Sequence, residues 1–172
     1  MFQDFQPVLK ILLRFILIYV VLIFLYQLYL NSQTGLDSAS VFVGNQVCFV
    51  QQSLGIPSEL RLVPEAKTAY FVMNGQHPTR MVEGCNAISI MILFLSFIFA
   101  FYKGKTTLVF AAVGLVLLYI MNVLRIAGLN MLYFQSPEYF EIGHQYLFPA
   151  VIYGTVVILW LVWIKFFALK RT

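Results

Sequence analysis

Three residues of this chain have side chains that together could carry out acyl-transfer chemistry: Cys85, Arg125 and His144. A thiolate attacks a carbonyl carbon, a guanidinium stabilises the oxyanion that forms, and an imidazole protonates the leaving amine. Each of the three residues lies at or near the end of a different apolar segment. The set predicts a site of the cysteine-peptidase type, provided that the fold brings these three ends together.

Each of these residues also has a structural interpretation when it is taken alone. Arg125 lies nineteen residues after Thr106, about 29 Å along a helix axis. Its guanidinium there either reaches the outer lipid headgroups or faces the interior of a helix bundle. Cys85 precedes an apolar helix whose N-terminal dipole favours a thiolate, but a small inert residue also suits such a junction. His144 alone fits an ordinary histidine of an interfacial loop.

Three polar residues near these positions are candidates for supporting or substrate-binding roles: Glu83, Asn86 and Asn122. Glu83 and Asn86 lie within two residues of the cysteine, and Glu83 could orient His144 or Arg125. Asn122 lies one helical turn before Arg125 on the same face. It could hold the guanidinium or a substrate carbonyl, or it could form a structural hydrogen bond between helices.

The elements that must position these residues are apolar helices. The chain is 61% hydrophobic and only 10% charged, whereas soluble domains carry roughly 25% charged residues, so lipid has to cover part of its surface. The predicted fold is an all-α membrane protein, a single domain over 1–172 built as a four-transmembrane-helix bundle. The predicted spans lie at about 11–30, 87–102, 106–134 and 146–164, with an outer loop at 31–86.

Basic residues predict how the spans are oriented. They cluster before the first span, between the second and third, and after the fourth: Lys10, Arg14, Lys103, Lys105, Lys165, Lys170 and Arg171. Four spans place these clusters on one side of the membrane, and the positive-inside rule makes that side cytoplasmic. Both termini are then cytoplasmic, and Cys85, Arg125 and His144 all come to the outer face.

The outer loop contains two predicted elements. Apolar residues recur at helical spacing from Leu36 to Leu54, which predicts an amphipathic helix lying on the outer membrane interface. Two β-prone runs, 68–73 and 79–82, are separated by a turn with Asn-Gly and predict a short β-hairpin that leads into the cysteine. A second outer loop, at about 135–145, is short and polar.

Other chemistries are not indicated. The sequence has no zinc-site spacing, no G-x-S-x-G motif and no phosphate-binding loop, so no metal and no cofactor is expected. The basic residues form no patch, which argues against a nucleic-acid partner. Cys48 is interpreted as an apolar residue of the amphipathic helix, with a Cys48–Cys85 disulfide as an alternative. His77, at the tip of the hairpin, has no assigned role.

The sequence around these positions resembles the exosortase/archaeosortase family, and its exosortase F branch most of all. The resemblance is carried by V-E-G-C-N-A at 82–87, by N-V-L-R-I at 122–126, and by His144 ahead of the closing segment F-P-A-V-I-Y-G. It covers nearly the whole chain and is strongest from residue 82 onward. It implies that Cys85 is the nucleophile, Arg125 the oxyanion partner and His144 the proton shuttle. Many members have eight spans, whereas only the core four are predicted here.

The resemblance also implies an activity. The family is understood as membrane-embedded cysteine transpeptidases or proteases, which process the C-terminal sorting signals of surface-destined proteins at the outer face of the bacterial inner membrane. Such a signal consists of a short motif, a transmembrane helix and a basic tail. The expected partners are therefore membrane-tethered proteins and the lipid bilayer. The alternative is a non-catalytic membrane helper, or a protein that binds an anionic solute through Arg125.

Overall fold

A computed structural model describes residues 2–77 and 79–168 of the chain. Most of these residues are helical, and a small sheet separates the second helix from the third. The helices are α1 (Phe2–Asn31), α2 (Ser38–Ser53), α3 (Ile88–Ala100), α4 (Lys105–Gln135), α5 (Phe140–Ile142) and α6 (Phe148–Trp163). The strands are β1 (Ser58–Val63), β2 (Thr68–Met73) and β3 (Arg80–Val82).

Helix α3 is the centre of an apolar bundle and packs against α1, α4 and α6. Its Phe94 and Ile98 are fully buried, together with Leu118 of α4 and Trp163 of α6. In contrast, α1, α4 and α6 expose rows of large apolar side chains on their outer faces. In water this exposure would cost free energy in proportion to the apolar area, so a surface of this kind is suited to lipid.

Within residues 2–77 and 79–168, three helical segments are long and apolar enough to cross a membrane: Gln6–Asn31, Lys105–Gln135 and Pro137–Ala168. They coincide with the first, third and fourth predicted spans, so the prediction of a mostly helical, membrane-type bundle is confirmed. The second predicted span is the shorter α3, which has 13 residues. Its length is about 20 Å, less than a hydrocarbon core of about 30 Å. Helix length alone therefore supports three crossings and not four.

The prediction of a polar loop at 135–145 is wrong. Only Ser136 interrupts the helical backbone, which resumes with a 3₁₀ turn at Pro137–Tyr139 and continues through α5 into α6. Proline suits the first turn of a helix because its missing N–H would have no partner there. The ring of Phe140 meets Tyr133 edge-on at a centroid distance of 5.3 Å. Aromatic packing thus folds the returning helix back against α4.

The sheet consists of three antiparallel strands in the order β1-β2-β3. Strands β2 and β3 form the predicted hairpin, and its turn residues Asn74 and Gly75 both have positive φ, as a tight Asn-Gly hairpin turn requires. The third strand, β1, was not predicted. It pairs along its whole length with β2, from Ser58 opposite Met73 to Val63 opposite Thr68.

Helix α2 and the sheet together cover the C-terminal half of α4. The buried face of α2, with Val43 and Val47, packs against Val123 and Ile126 of α4 and against the sheet. Because α4 has 31 residues and is about 46 Å long, it extends beyond a hydrocarbon core of about 30 Å. The predicted helix is present as α2, with its buried face packed on protein and with Phe42 and Phe49 exposed.

Aromatic contacts bring the basic ends of the helices together. Phe97 of α3 packs on Phe15 of α1 at 6.2 Å and on Trp160 of α6 at 4.5 Å. Phe110 of α4 packs on Trp163 at 5.0 Å. The basic residues near these rings thus lie at one end of the bundle: Lys10, Arg14, Lys103, Lys105 and Lys165. The other two basic residues of the predicted clusters, Lys170 and Arg171, lie outside the described residues.

Candidate active site

A cavity of about 560 Å³ opens where the end of the sheet, α4 and the returning helix meet. Its lining includes all three residues of the predicted set, Cys85, Arg125 and His144. Most of its wall is apolar and a few polar groups converge on it, which is typical of ligand-binding sites. The described lining residues are Tyr70, Phe71, His77, Thr79, Arg80, Met81, Cys85, Arg125, Ile126, Leu129, Phe140, His144, Phe148 and Pro149.

Cys85 lies in a tight turn between β3 and α3. Gly84 has φ 88° and Ala87 has φ 61°, and the amide of Cys85 donates to the carbonyl of Val82 at 3.1 Å. Positive φ is costly for alanine, so the surroundings of Ala87 have to impose it. Since α3 begins at Ile88, the thiol precedes the helix by three residues and is not in its first turn.

Asn122 of α4 holds this turn in place. Its Nδ2 donates to the carbonyl oxygen of Cys85 at 2.9 Å, and its side chain is fully buried. Buried amides need hydrogen-bond partners, and this one ties the backbone of the candidate nucleophile to α4. The bond differs from all three roles considered from the sequence, since it joins a helix to a loop and involves neither a guanidinium nor a substrate.

Arg125 lies one turn after Asn122 and is partly buried in the cavity wall. Its Nε is buried without a hydrogen-bond partner, and no carboxylate pairs with its guanidinium within the described part of the chain. The ionisable groups that act on it are Cys85 and Tyr153. A guanidinium that lacks a counter-charge and lies near a thiol is suited to stabilise negative charge on a bound substrate.

His144 lies on a π-helical turn, Gly143–Leu147, and is exposed. Its ring stacks on Phe140, one turn earlier, with the ring planes 22° apart and the centroids 6.2 Å apart. π-helical turns are rare and occur frequently at functional sites. The turn makes His144 accessible from the cavity without burying it.

Arg125 and His144 are separated along the cavity. A Cβ added at Gly128 would lie 3.2 Å from the ring of Phe148, so these two residues face each other across the helix pair. Arg125 lies three residues before Gly128 and His144 four before Phe148, on helices that run in opposite directions. The two offsets therefore add, and seven residues correspond to roughly 10 Å along the axis. The offset joins backbone positions, and both side chains reach the same cavity.

Glu83 has a different partner from the one expected. Its carboxylate pairs with Lys67, with Oε1 3.8 Å from Nζ. It is not among the described residues that line the cavity. The carboxylate therefore lies beside this lysine, and its expected role in orienting His144 or Arg125 stays a prediction.

Asn86 supports the cysteine turn from the other side. Its side chain is 1% exposed, and its Oδ1 accepts from the amide of Ile88 at 2.9 Å. Its Nδ2 donates to Asp37 at 3.0 Å. These contacts lie outside the described cavity lining, so Asn86 supports the turn from behind the cavity.

Sequence reasoning assigned no role to four further polar residues of the cavity wall: Tyr70, His77, Thr79 and Arg80. All four come from the hairpin, and His77 meets Tyr70 edge-on at a centroid distance of 5.8 Å. The signal that could have found them is the predicted hairpin itself. A strand that leads directly into Cys85 necessarily places its neighbours beside the thiol.

The charge of the cavity lining is one-sided. Arg80 and Arg125 are cationic, and none of the described lining residues is acidic. A low-polarity cavity with donors of one sign stabilises an anion strongly. The site is thus suited to a substrate or reaction intermediate that carries or develops negative charge.

Cys48, the other thiol, lies in the core between α2 and the sheet and is 5% exposed. Burial raises the pKa of the Cys48 thiol above its ordinary value. Both cysteines are free, so the alternative disulfide is not formed. In the described residues, no group of three or more His, Cys, Asp and Glu side chains is placed to hold a metal ion.

Comparisons of the chain with protein-family models, with curated proteins and with solved structures found no match. The function is therefore inferred from the cavity and from the motif residues that line it. The strongest constraint is that a thiol, a guanidinium and an imidazole from three separate elements share one cavity.

Proposed function

We propose that this protein is a membrane-embedded cysteine transpeptidase or protease of the exosortase type. The observation that carries the proposal is the common cavity of Cys85, Arg125 and His144. These residues are 40 and 19 positions apart in sequence and come from a turn, a long helix and a π-helical turn. Such convergence supplies the nucleophile, the oxyanion partner and the proton shuttle that acyl transfer from a peptide requires.

In the proposed mechanism, the Cys85 thiolate attacks the scissile carbonyl carbon and the guanidinium of Arg125 stabilises the resulting oxyanion. The C–N bond then breaks, and the leaving amine takes a proton from the imidazolium of His144, which gives a thioester on Cys85. An acceptor amine, or water, attacks the thioester and gives its proton to His144. The C–S bond breaks and restores the thiolate.

The proposed substrates are surface-destined proteins tethered by a C-terminal signal with a short motif, a transmembrane helix and a basic tail. Tethering confines the scissile bond to the plane of the membrane, which raises its effective concentration at the cavity. The exposed apolar faces of α1, α4 and α6 suit contact with the lipid bilayer. No cofactor is needed for any step.

The proposed topology has four crossings of a bacterial inner membrane, with both termini in the cytoplasm and the cavity at the outer face. The bond from Asn122 places Cys85 level with that residue, which lies 17 positions after Lys105. This distance is about 26 Å along α4. Helix α3 and the turns at its two ends cover this same distance along the membrane normal. They therefore nearly span a hydrocarbon core of about 30 Å. The clustering of the basic residues at the opposite end supports a cytoplasmic side there.

The test uses a reporter that carries a tripartite C-terminal tail, co-expressed with the protein and scored for cleavage. Cys85→Ala should abolish processing because no other residue replaces the thioester bond. Cys48→Ala is the matched control, since it removes the buried thiol between α2 and the sheet, and should leave processing intact. Normal processing by Cys85→Ala would rule out the proposed chemistry.

The one-sided charge of the cavity favours a second function, the binding of an anionic solute or the role of a non-catalytic helper. In that case Arg125 is essential and Cys85 is dispensable. Cys85→Ser separates the two functions, because it preserves the size and polarity of the side chain while removing the thiolate. A silent Cys85→Ser variant together with an inactive Arg125 variant would favour the binding protein.

A further inference from the structure

A buried polar cluster lies directly behind the Cys85 turn and outside the described cavity lining. It consists of Tyr26 of α1, Asp37 and Ser40 at the start of α2, and Asn86 of the turn. Their exposures are 8%, 0%, 0% and 1%. Three separate segments of the chain therefore meet at the residue that follows the candidate nucleophile.

Asp37 is the acceptor at the centre of this cluster. Its Oδ1 accepts from the amide of Ser40 at 2.9 Å and from Nδ2 of Asn86 at 3.0 Å, while its Oδ2 accepts from the Ser40 hydroxyl at 2.6 Å. No lysine or arginine of the described residues pairs with it. Burying a carboxylate without a cation is costly unless hydrogen bonds replace its hydration.

Capping of α2 does not explain this buried carboxylate. Serine or asparagine would cap the helix about as well through a single oxygen, without a buried charge. What Asp37 adds is a second oxygen, which holds the Ser40 hydroxyl while the first oxygen receives the amide of Asn86. Hydrogen bonds to a charged acceptor are also shorter and stronger than those to a neutral one.

Asn86 in turn is fully engaged. Its Nδ2 also approaches the hydroxyls of Ser40 at 3.1 Å and Tyr26 at 3.0 Å, and its Oδ1 caps α3 through the amide of Ile88. The side chain can neither rotate nor shift without breaking several buried hydrogen bonds at once. It thereby holds the strained Ala87 and the start of α3 in place.

The backbone around Cys85 is consequently held from two sides. Asn122 of α4 fixes its carbonyl oxygen, and the Asp37 cluster fixes the next side chain. We infer that Asp37 is a positioning residue for Cys85, which sets the place of the thiol in the cavity through Asn86. The inference deepens the proposed function and rests on it, because it assumes that Cys85 is the nucleophile.

The test compares Asp37→Ser with Asp37→Asn in purified full-length protein. Serine keeps an N-cap oxygen but is too short to reach Asn86, whereas asparagine keeps an oxygen at that distance. For Asp37→Ser, kcat for the tail reporter should fall by about 10- to 100-fold, since small displacements of a reacting group have effects of this size, with KM unchanged. Asp37→Asn should restore part of kcat, because its one oxygen still reaches Asn86 while the oxygen that accepts from the Ser40 hydroxyl is lost. Ser38→Ala is the matched control, because its hydroxyl bonds to Tyr29 at 2.8 Å, outside the cluster.

A second measurement needs no substrate. Alkylation of each thiol by a small maleimide is followed by peptide mass spectrometry in the same variants. A released turn should make Cys85 of Asp37→Ser react severalfold faster although the enzyme is slower, while Cys48 stays protected.

Unchanged kcat and unchanged Cys85 alkylation would overturn the inference. Equal exposure of Cys48 would do so too, because it would mean that Asp37 only stabilises the fold. If Cys85→Ala still processes the reporter, the proposed function fails, and the alkylation rates alone then decide whether Asp37 holds the turn.

Discussion

The Cys85 turn and the His144 turn lie on opposite walls of one cavity and are built in opposite ways. The Cys85 turn is held by buried hydrogen bonds from Asn122 and Asn86. His144 is exposed on a π-helical turn, and the contact of its ring is a stack on Phe140. One wall therefore has a fixed geometry that is set by polar groups, and the other has an accessible side chain on a surface turn.

This difference suits the separate tasks that the two residues would have. A nucleophile has to be aligned with its target to within a fraction of an ångström. A proton shuttle serves first a leaving amine and then an acceptor, so it benefits from access to both. Both side chains line the same cavity although their backbone positions are offset by roughly 10 Å along the helix pair.

The largest expected effect tests which of the two histidines in the cavity is the proton shuttle. His144→Ala should lower processing by about 10²- to 10⁴-fold, the usual contribution of a general acid–base group. His77→Ala, on the opposite wall of the same cavity, should keep most of the activity. The measurement is the rate of reporter cleavage in membranes. A large loss in His77→Ala alone would move the proton shuttle to the hairpin.

The two arginines of the cavity provide the next test. Arg125→Lys should reduce processing by about 10²- to 10³-fold, because an ammonium does not reproduce the planar donor fork that an oxyanion partner requires. Arg80→Lys, which preserves charge at the exposed hairpin position, should have little effect. Full activity in both variants would mean that positive charge alone is sufficient, as for a binding protein.

Packing around the His144 turn can be probed with a single methyl group. A Cβ at Gly143 would lie 2.5 Å from Cδ2 of Leu132 and 3.2 Å from the ring of Phe148. Because Leu132 and Phe148 must shift, Gly143→Ala should lose the roughly 0.5–1 kcal/mol that alanine normally gains over glycine in a helix and that the control keeps. Gly154→Ala is the control on the same helical segment, since nothing lies within 4 Å of its added Cβ. Thermal unfolding in detergent measures both, and equal midpoints would show that the turn is loosely packed.

The smallest effect concerns the two thiols. Burial raises the pKa of Cys48, so its thiolate fraction at any given pH is lower than that of an ordinary cysteine. At neutral pH a maleimide should label Cys85 and leave Cys48 almost unlabelled, and the labelling of Cys48 should rise only as pH increases. Mass spectrometry of the two peptides gives the ratio, with unfolded protein as the reference in which both react. Preferential labelling of Cys48 in the folded protein would contradict the placement of the two thiols.

Much of the architecture was predictable from local sequence patterns. Long apolar runs predicted α1, α4 and the last helix, and Asn74-Gly75 between β-prone runs predicted the hairpin. Both are local signals, since hydropathy and turn preferences act over a few neighbouring residues. Strand β1 was not predictable in the same way, because its short apolar and charged alternation is stabilised by pairing with β2. The helical segment at 137–147 was not predicted, because its polar residues are typical of a loop. Its helical structure depends on aromatic packing against α4.

The sequence by itself determined that this is a helical membrane-type protein, and it singled out Cys85, Arg125 and His144 as candidate catalytic residues. Only the tertiary structure decided that the three share a cavity, that Glu83 pairs with Lys67, and that Tyr70, His77, Thr79 and Arg80 join the wall. It alone also brought Asp37 to Asn86 across 49 positions of sequence. The physical reason is that periodicity and composition report which face of an element is buried. The partner of a buried polar group is chosen by the packing of distant segments, which no local pattern records.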